Sequence, residues 1–338
     1  MDKSNLVVSE VVRTLIQERL RGSEVCVAYS GGCDSTALLS VLVALADDFR
    51  LTVSALHVNH CMSKNSYKWE DFCRSKSNEL GVRFFCERVK VDSDSGLGIE
   101  ASAREARYEI FSKHQSSVMM LAHHLDDQIE TYLLRLVRGS GVKGLSCMSS
   151  VSAQWNNQGP IFIRPWLDVQ RSMIQEWADD RGLQWIEDES NLDSKFDRNF
   201  FRREVIPKIA SRFGGYRCCI ARAIENNNDS SQLNEKLAKL DFDTVVDIGK
   251  PGIDIARLVQ LEPSRQANLL RHWLYTKVQK FPPKSWVNEL IRQVQSYKPD
   301  SHMGLTWNQV NLRQYRGRLY ICQEGNRCSL KDWSVPWR

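Results

Sequence analysis

Short apolar runs alternate with amphipathic segments over the first two hundred residues of the chain. The runs at 25–28, 51–58, 82–89 and 117–122 are rich in Val, Leu, Ala and Met, and they predict four strands. After each run, apolar residues recur every three or four positions, which predicts a helix. Strands and helices in regular alternation form a parallel sheet covered on both faces. The pattern therefore predicts a doubly wound α/β fold with ligands at the carboxyl ends of the strands.

This alternation stops after the Phe213-Gly214-Gly215 segment. Two helical stripes follow, one around Trp273 and one around Trp286, and then two short strands with a turn at Arg316-Gly317. These elements predict a smaller C-terminal α+β domain. We expect a first domain at 1–215, a linker at 216–230 and a second domain at 231–338.

A glycine turn joins the first predicted strand to its helix, in the stretch Ser30-Gly31-Gly32-Cys33-Asp34-Ser35. Glycines leave room for an anion, and the new helix presents its positive end to it. The stretch lacks the Gly-Lys-Ser/Thr of a Walker loop and the third Gly of a dinucleotide fingerprint. It resembles the loop of PP-loop enzymes, which split ATP into AMP and pyrophosphate. The alternative is an ordinary βα turn with a Ser/Asp helix cap.

Composition narrows the class of protein. The 338 residues are 42% hydrophobic and 26% charged, as in ordinary globular domains. The first twelve residues carry charges and no apolar core, so we expect neither a signal peptide nor a membrane span. Ten cysteines, none in a Cys-x-x-Cys pair, predict reduced thiols in the cytoplasm and argue against a zinc ribbon or a redox dithiol.

A cluster of histidines and acids lies where the fourth strand feeds its helix. Helical spacing places His123, Asp127 and Glu130 on one face, at the same sheet edge as the glycine loop. Acids in a first helical turn also stabilise the helix, so capping is one alternative for Asp126 and Asp127. A divalent-metal site of a phosphohydrolase is another alternative.

A second helix carries Glu100, Arg104, Arg107 and Tyr108 on one face. Two guanidiniums at that spacing could hold a triphosphate, because arginine matches phosphate oxygens bidentately. The alternative is an intrahelical ion pair between Glu100 and Arg104.

Positive charge is concentrated between residues 190 and 222. This segment contains eight basic and three acidic residues, and the difference of five equals the net charge of the whole chain, +5. Aromatic residues lie among them, which favours a polyanionic partner. A solvated helical face would show the same charge pattern. The basic residues are Lys195, Arg198, Arg202, Arg203, Lys208, Arg212, Arg217 and Arg222.

Further motifs make the resemblance specific. With the loop, they are similar in order and spacing to the bacterial tRNA(Ile)-lysidine synthetase family, strongly over about 20–215 and more weakly over 230–322. The Cys61-Met62-Ser63 segment departs from the family pattern. Longer family members carry a further C-terminal domain, which we expect this chain to lack. The motifs are His57-Val58-Asn59-His60, Glu-x-x-Ala-Arg-x-x-Arg-Tyr (100–108), His-His-Leu-Asp-Asp-Gln-x-Glu-Thr (123–131), Arg-Leu-Val-Arg-Gly-Ser-Gly (135–141), Arg164-Pro165, Glu-Asp-x-Ser-Asn (187–191) and Arg-Asn-x-x-Arg (198–202).

The resemblance implies a cytoplasmic ligase that joins L-lysine to C2 of the wobble cytidine in tRNA(Ile) with the anticodon CAU. Cytosine O2 would attack the α-phosphate of ATP, and the lysine ε-amine would then displace AMP. At its ordinary pKa near 10.4, only about 1 in 2,500 of such amines is uncharged at pH 7, so an acidic cluster that binds lysine and takes its proton is expected. The resemblance leaves a homodimer open.

The resemblance also implies roles for individual residues. Asp34, His123, Asp127 and Glu130 would be catalytic, and Asp34 would also bind Mg²⁺. The adenine would lie near His57 and Val58. The residues expected to bind ATP are Ser30, Gly31, Gly32, Cys33, Asp34, Ser35, His57, Val58, Arg104 and Arg107, and those expected to bind tRNA are Arg164, Arg198, Arg202, Arg203 and Arg313.

Two other functions remain open at this point. A tRNA thiolase of the same ATP-loop group would share the fold, but such enzymes commonly use a cysteine pair. A non-catalytic tRNA-binding protein would share the basic segment, but the intact Ser30, Asp34 and Ser35 argue for catalysis.

Overall fold

The computed structural model describes residues 3–63, 65–89, 99–152, 159–187, 197–247, 249–278, 281–296, 304–307 and 310–323. The chain divides into two compact units, Met1–Asn228 and Asp229–Arg338. Each unit has its own sheet and its own buried apolar cluster.

The first unit is built on a six-stranded sheet. Its strands are β1 (Glu24–Ala28), β2 (Thr52–Asn59), β3 (Arg83–Arg88), β4 (Val118–Met120), β5 (Val151–Ser152) and β6 (Ile161–Ile163). The order is β3-β2-β1-β4-β6-β5, and all neighbours are parallel except β5 and β6. The predicted doubly wound parallel sheet is confirmed, with the glycine loop following the inner strand β1. The short antiparallel β5 was not predicted.

The helices of the first unit follow the strands as the apolar spacing predicts. A π-helical turn, Phe201–Val205, separates α8 from α9. The helices are α1 (Lys3–Arg19), α2 (Cys33–Phe49), α3 (Ser66–Glu79), α4 (Ile99–Lys113), α5 (Leu125–Val137), α6 (Val142–Leu145), α7 (Arg171–Asp180), α8 (Asp197–Phe200), α9 (Ile206–Arg212) and α10 (Tyr216–Val245).

Two apolar layers cover the sheet. On one face α1, α2 and α7 pack together, with Leu38, Ile174 and Trp177 buried in a common cluster. A second cluster contains Tyr108 from α4 and Phe162 from β6. Burying one such side chain contributes about 1.5–3 kcal/mol, so these layers hold the strand ends in fixed positions.

The helix α10 runs without a break through the segment predicted as a linker, residues 216–230. The boundary between the two units falls inside this helix, after Asn228. The sequence of this helix lacks the Gly and Pro that would interrupt it, which explains why a helix rather than a loop forms here.

The second unit is a small α+β domain, as predicted. Its sheet contains β7 (Ile253–Asp254), β8 (Gly304–Trp307), β9 (Val310–Tyr315) and β10 (Arg318–Gln323) in the order β7-β10-β9-β8, all antiparallel. The helices are α11 (Ile255–Gln260), α12 (Pro263–Val278) and α13 (Lys284–Gln295). Trp273 is buried in the core between them, and the partly buried Trp286 packs against the same cluster.

The free cysteines of the described residues range from buried to exposed. Cys26, Cys33 and Cys73 are buried free thiols of the first unit, whereas Cys61 and the Cys218-Cys219 pair are exposed free thiols. Burial raises the pKa of Cys33 and Cys73 to about 12. Among the described cysteines, Cys322 departs from the predicted reduced state, because it is disulfide-bonded.

Within the part of the chain that the structure describes, every helix is too short or too polar to cross a membrane.

Candidate active site

The glycine loop turns tightly between β1 and α2. Gly31 has a φ of +84°, a conformation that L side chains rarely adopt. A Cβ atom on Gly31 would also lie 2.8 Å from Sγ of Cys73. Both the backbone angle and the close approach therefore require glycine here.

Two serines close the loop. The hydroxyls of Ser30 and Ser35 are 3.0 Å apart, and the Ser35 hydroxyl donates to the Gly32 carbonyl at 3.1 Å. The backbone N–H of Ile186 donates to the Gly31 carbonyl at 2.9 Å, which braces the loop from outside. These bonds hold the backbone N–H groups at the start of α2 in the arrangement that binds phosphates.

His57 lies behind the loop. The side chain is 6% exposed, and its Nδ1 donates to the Tyr29 carbonyl at 2.9 Å. Burial lowers the pKa of His57, so the ring is neutral at pH 7. The structure thus places His57 as a brace for the strand that precedes the loop, while its neighbour Val58 is partly exposed.

Asp34 is the carboxylate of the loop. Its Oδ2 lies 3.7 Å from Nε2 of His124 and 3.5 Å from Nε of Arg171. Its Oδ1 is buried and has no hydrogen-bond partner among the described residues. Burial raises the pKa of Asp34, although His124 and Arg171 oppose that shift. Asp34 is therefore a carboxylate with one oxygen open to a ligand.

His124 caps α5, and the sequence analysis missed this role. Its Nδ1 accepts the backbone N–H of Asp127 at 3.3 Å, and Asp127 Oδ2 accepts the backbone N–H of His124 at 3.1 Å. Because Nδ1 accepts, a proton is available on Nε2. That Nε2 also lies 3.4 Å from Asp127 Oδ2, so His124 stands between the carboxylates of Asp34 and Asp127. Capping and site formation are thus combined in the same residues.

His123 lies next to this cap in a different environment. Its Nδ1 is buried, and no residue in the described part of the chain forms a hydrogen bond with it. Burial lowers the pKa of His123 to about 3, so the ring is neutral at pH 7. A neutral imidazole can donate or accept a hydrogen bond, but it carries no positive charge.

The acids of α5 are already paired. Arg198 donates to Asp127 Oδ1 at 2.6 Å and to Glu130 Oε2 at 2.7 Å, and Arg202 donates to both oxygens of Glu130 at 2.6 and 3.0 Å. Burial would raise the pKa of Asp127, but His124 and Arg198 lower it to about 2. Both carboxylates are therefore paired with guanidinium groups within the unit.

This pairing changes how the predicted residues are used. Arg198 and Arg202 were expected to contact tRNA, yet the structure directs both guanidiniums onto the acids expected to bind lysine. They come from the α8 and π-helical segment, about 70 positions after α5 in the sequence.

Asp126 ties three helices together. Its Oδ2 accepts the backbone N–H of Arg171 at 2.9 Å, and its Oδ1 accepts Nε of Arg217 at 3.0 Å. The starts of α5, α7 and α10 are thereby held at one place. Asp126 therefore positions neighbouring residues of the candidate site.

The predicted arginine face of α4 makes side-chain contacts of its own. Arg104 stacks over the Tyr108 ring, with its guanidinium carbon 4.9 Å from the ring centroid, and Arg107 donates to Nε2 of His60 at 3.3 Å. Both side chains are exposed. The alternative Glu100–Arg104 ion pair involves a side chain outside the described residues.

The remaining predicted tRNA contacts differ in exposure. Arg164 is 4% exposed and donates to the Ser149 carbonyl, the Ser152 hydroxyl and the Tyr108 hydroxyl. It is a buried structural arginine in this conformation. Arg203 and Arg313 are exposed, the latter on β9 of the second unit.

Comparison with known proteins extends these observations. Residues 5–209 match the family model described as "PP-loop domain", and residues 253–320 match the one described as "TilS substrate binding domain". In solved structures, the U34-tRNA thiolase NcsA from Methanococcus maripaludis is similar, with a TM-score of 0.54 and 14% identity over 66% of this chain and 79% of that one. At that identity the likeness shows the fold alone.

Curated relatives are similar over most of the chain. The tRNA(Ile)-lysidine synthase of Nitrosomonas europaea is 37% identical over 88% of this chain and 65% of its own length. That of Pectobacterium atrosepticum is 34% identical over 97% of this chain and 74% of its own length. The chain thus spans about two thirds to three quarters of these relatives. With a PP-loop domain over most of its first unit, the chain belongs to the tRNA(Ile)-lysidine synthase family.

Proposed function

We propose that the protein ligates L-lysine to C2 of the wobble cytidine of tRNA(Ile) with the anticodon CAU, at the cost of ATP split to AMP and pyrophosphate. The observation that carries this proposal is the position of His124. Its Nε2 lies 3.7 Å from the loop carboxylate Asp34 and 3.4 Å from Asp127 of the acid pair. A phosphate loop and a cation-binding acid pair therefore adjoin at one sheet edge, as a reaction of ATP followed by an amine requires.

In the first step the loop holds the triphosphate at the start of α2. Cytosine O2 attacks the α-phosphorus, the bond from that phosphorus to the bridging oxygen of the β-phosphate breaks, and the electron pair leaves with pyrophosphate. The neutral His123 would orient the α-phosphate through a hydrogen bond. Charge developing in the transition state is stabilised by fixed N–H donors at the helix start.

The unpartnered Oδ1 of Asp34 fits a divalent cation. Carboxylate oxygens are the ligands that Mg²⁺ prefers, and this buried oxygen receives no hydrogen bond from the residues that the structure describes. Asp34 would hold Mg²⁺ together with phosphate oxygens, since Mg²⁺ usually binds through one or two carboxylates and its substrate phosphates. Bound there, the ion would offset the negative charge of the triphosphate.

In the second step Asp127 and Glu130 would bind the ε-ammonium group of lysine. Both acids are neutralised by Arg198 and Arg202, so at least one guanidinium must move away before an ammonium group can take its place. While Arg198 and His124 hold the pKa of Asp127 at about 2, this carboxylate is a binding group and a poor base. Departure of Arg198 would raise its pKa and make proton transfer from the amine easier.

The tRNA would contact the exposed Arg203 and Arg313. Phosphate contacts of this kind position a nucleic acid without reading its sequence. Methionine tRNA with the same CAU anticodon must therefore be rejected through other positions, for which the second unit, with its match to a substrate binding domain, is the candidate reader. We place the reaction in the cytoplasm.

The test is incubation of the protein with ATP, radiolabelled lysine and isoleucine tRNA bearing CAU. We expect label in the tRNA and one pyrophosphate released for each lysine joined. Methionine tRNA with CAU should remain unlabelled, and Asp34→Ala should release no pyrophosphate. Pyrophosphate release without lysine transfer would support a different PP-loop reaction. The absence of both pyrophosphate and labelled tRNA would support the non-catalytic alternative.

A further inference from the structure

Arg171 points at the phosphate loop from outside it. Its Nε lies 3.5 Å from Asp34 Oδ2, and its side chain is 47% exposed. The residue begins α7, far from the loop in sequence. Neither the loop motif nor the arginine face of α4 includes it.

The backbone of Arg171 is held in place while its side chain is accessible. Its N–H donates to Asp126 Oδ2 at 2.9 Å, and the carbonyl of Val169 accepts the N–H of Leu125 at 2.9 Å. Ile174 and Trp177, on the following turns of α7, are buried against α2. The Cα atom is therefore fixed beside the loop, and only the side chain has freedom to reach a ligand.

The contacts of the other candidate arginines set Arg171 apart. Arg104 and Arg107 contact Tyr108 and His60 on the α4 side, and Arg198 and Arg202 neutralise the acid pair. Among the described residues of these sets, Arg171 is the one whose guanidinium faces the carboxylate of the loop itself.

A single ion pair at 3.5 Å uses little of the capacity of a guanidinium. Arginine has five N–H donors in a planar fork that matches phosphate oxygens. The pair is half-exposed, so its free energy is small and its arginine can be withdrawn at little cost. A triphosphate at the start of α2 would bring several negative oxygens to the same place.

We propose that Arg171 is a pyrophosphate-binding residue, which leaves Asp34 when nucleotide binds and holds the β- and γ-phosphates at the mouth of the loop. This inference rests on the first step of the proposed function. When the α-phosphorus bonds to its attacking oxygen and its bond to the β-phosphate oxygen breaks, the electron pair moves onto pyrophosphate. A guanidinium on that group stabilises the charge it gains.

The first experiment compares ATP and AMP binding by calorimetry in Mg²⁺ buffer without tRNA or lysine. These ligands differ by the β- and γ-phosphates alone. We expect Arg171→Ala to weaken ATP binding at least about tenfold, the scale of one lost charge-assisted contact, and to change AMP binding less than twofold. Arg171→Lys should recover part of the loss, because it keeps the charge but not the fork.

The matched control is Arg13→Ala. Arg13 pairs with Asp48 near the opposite end of α2 at 3.5 Å and is 43% exposed, so its ion pair resembles that of Arg171. This variant should bind ATP as the wild type does. Thermal unfolding of all variants shows whether each is folded. If Arg171→Ala is not folded, Arg171→Lys takes its place in the comparison of ATP and AMP binding.

Unchanged ATP binding in Arg171→Ala would overturn the inference, and so would an equal loss for ATP and AMP, which would assign the residue to shaping the loop. A wild type that binds ATP no more tightly than AMP would overturn it as well. The measurement is separate from the ligase reaction. A protein that fails to transfer lysine but loses ATP affinity in Arg171→Ala would refute the proposed function and retain this inference.

Discussion

The phosphate loop and the acid pair of α5 adjoin at one sheet edge, yet they are assembled in different ways. Hydrogen bonds within the loop join residues no more than five positions apart, as between Ser30 and Ser35. The ion pairs of Asp127 and Glu130 with arginine join residues 68 to 72 positions apart. The geometry of a local motif follows from its own short sequence, whereas long-range charge pairing depends on where the fold brings distant segments.

The two regions also differ in electrostatics. At the loop, one oxygen of Asp34 has no partner within the described ranges of the chain, and burial raises the pKa of this residue. On α5, Asp127 is paired, and His124 and Arg198 hold its pKa at about 2 despite burial. The loop carboxylate is thus open to a cation, while the acid pair already has its positive charge. Variants should separate these two states.

The largest effect is expected for Asp34→Asn. Loss of the loop carboxylate should slow pyrophosphate release at least about 100-fold, the scale of losing a key electrostatic group. Because folding raises the pKa of Asp34, its charged form costs stability above that pKa, and the amide should leave the free energy of unfolding equal or higher. Pyrophosphate release and urea unfolding measure the two effects. Release at the wild-type rate would contradict the role of Asp34.

Glu130→Gln should act on the second step. Lysine transfer should fall about 10- to 100-fold, since one of two carboxylates for the ammonium is gone, while adenylation changes little. The free energy of unfolding should fall by about 2 kcal/mol, because Arg198 and Arg202 lose a buried partner. Trapped adenylated tRNA is the product to measure. Glu109→Gln, which removes an exposed pair with Lys113, is the control. Equal loss of both steps would place Glu130 at ATP.

The acid pair should also have a signature in the dependence of stability on pH. Folding lowers the pKa of Asp127 from 3.8 to about 2, so its contribution of about 2 kcal/mol is present above pH 4 and is lost as the pH falls through 2. Folding also lowers the pKa of His123 from 6.5 to about 3, so its neutral ring contributes stability that is lost as the pH falls from 6.5 to 3. Denaturation of wild type and Asp127→Asn from pH 2 to 6 separates them. Curves that stay parallel below pH 4 would refute the pairing.

The smallest effects should distinguish two adjacent arginines. Arg203 is exposed, so Arg203→Ala should weaken all tRNAs alike, by a few-fold, and reduce the salt slope of binding by about 0.9. Arg202 pairs with Glu130, so Arg202→Ala should mainly lower the free energy of unfolding, by about 1 kcal/mol. Filter binding across salt concentrations and urea unfolding provide the comparison. A reversed order would mean that Arg202, not Arg203, faces the nucleic acid.

The sequence predicts those features of the fold that depend on the local pattern of residues. The alternation of strands and helices, the loop at the end of β1 and the α+β character of the second unit follow from apolar spacing and glycine placement. Arg171 and its partner Asp34 lie 137 positions apart, so no spacing rule joins them. The sequence shows Arg164 only as a basic residue in a motif, which predicts a contact with tRNA. Its burial and its three hydrogen-bond acceptors give it a structural role in the fold. In these cases the packing of distant segments selects among roles that residue type alone permits.

The buried thiols around the loop have a consequence for chemical labelling. A thiol whose pKa is about 12 is thiolate for only about one molecule in ten thousand at pH 8, and the thiolate is the reactive form. Cys33 and Cys73 should therefore resist alkylation, whereas the exposed Cys61, Cys218 and Cys219 should react. Maleimide probes could thus be attached to the native protein while the thiols in and beside the glycine loop stay unmodified.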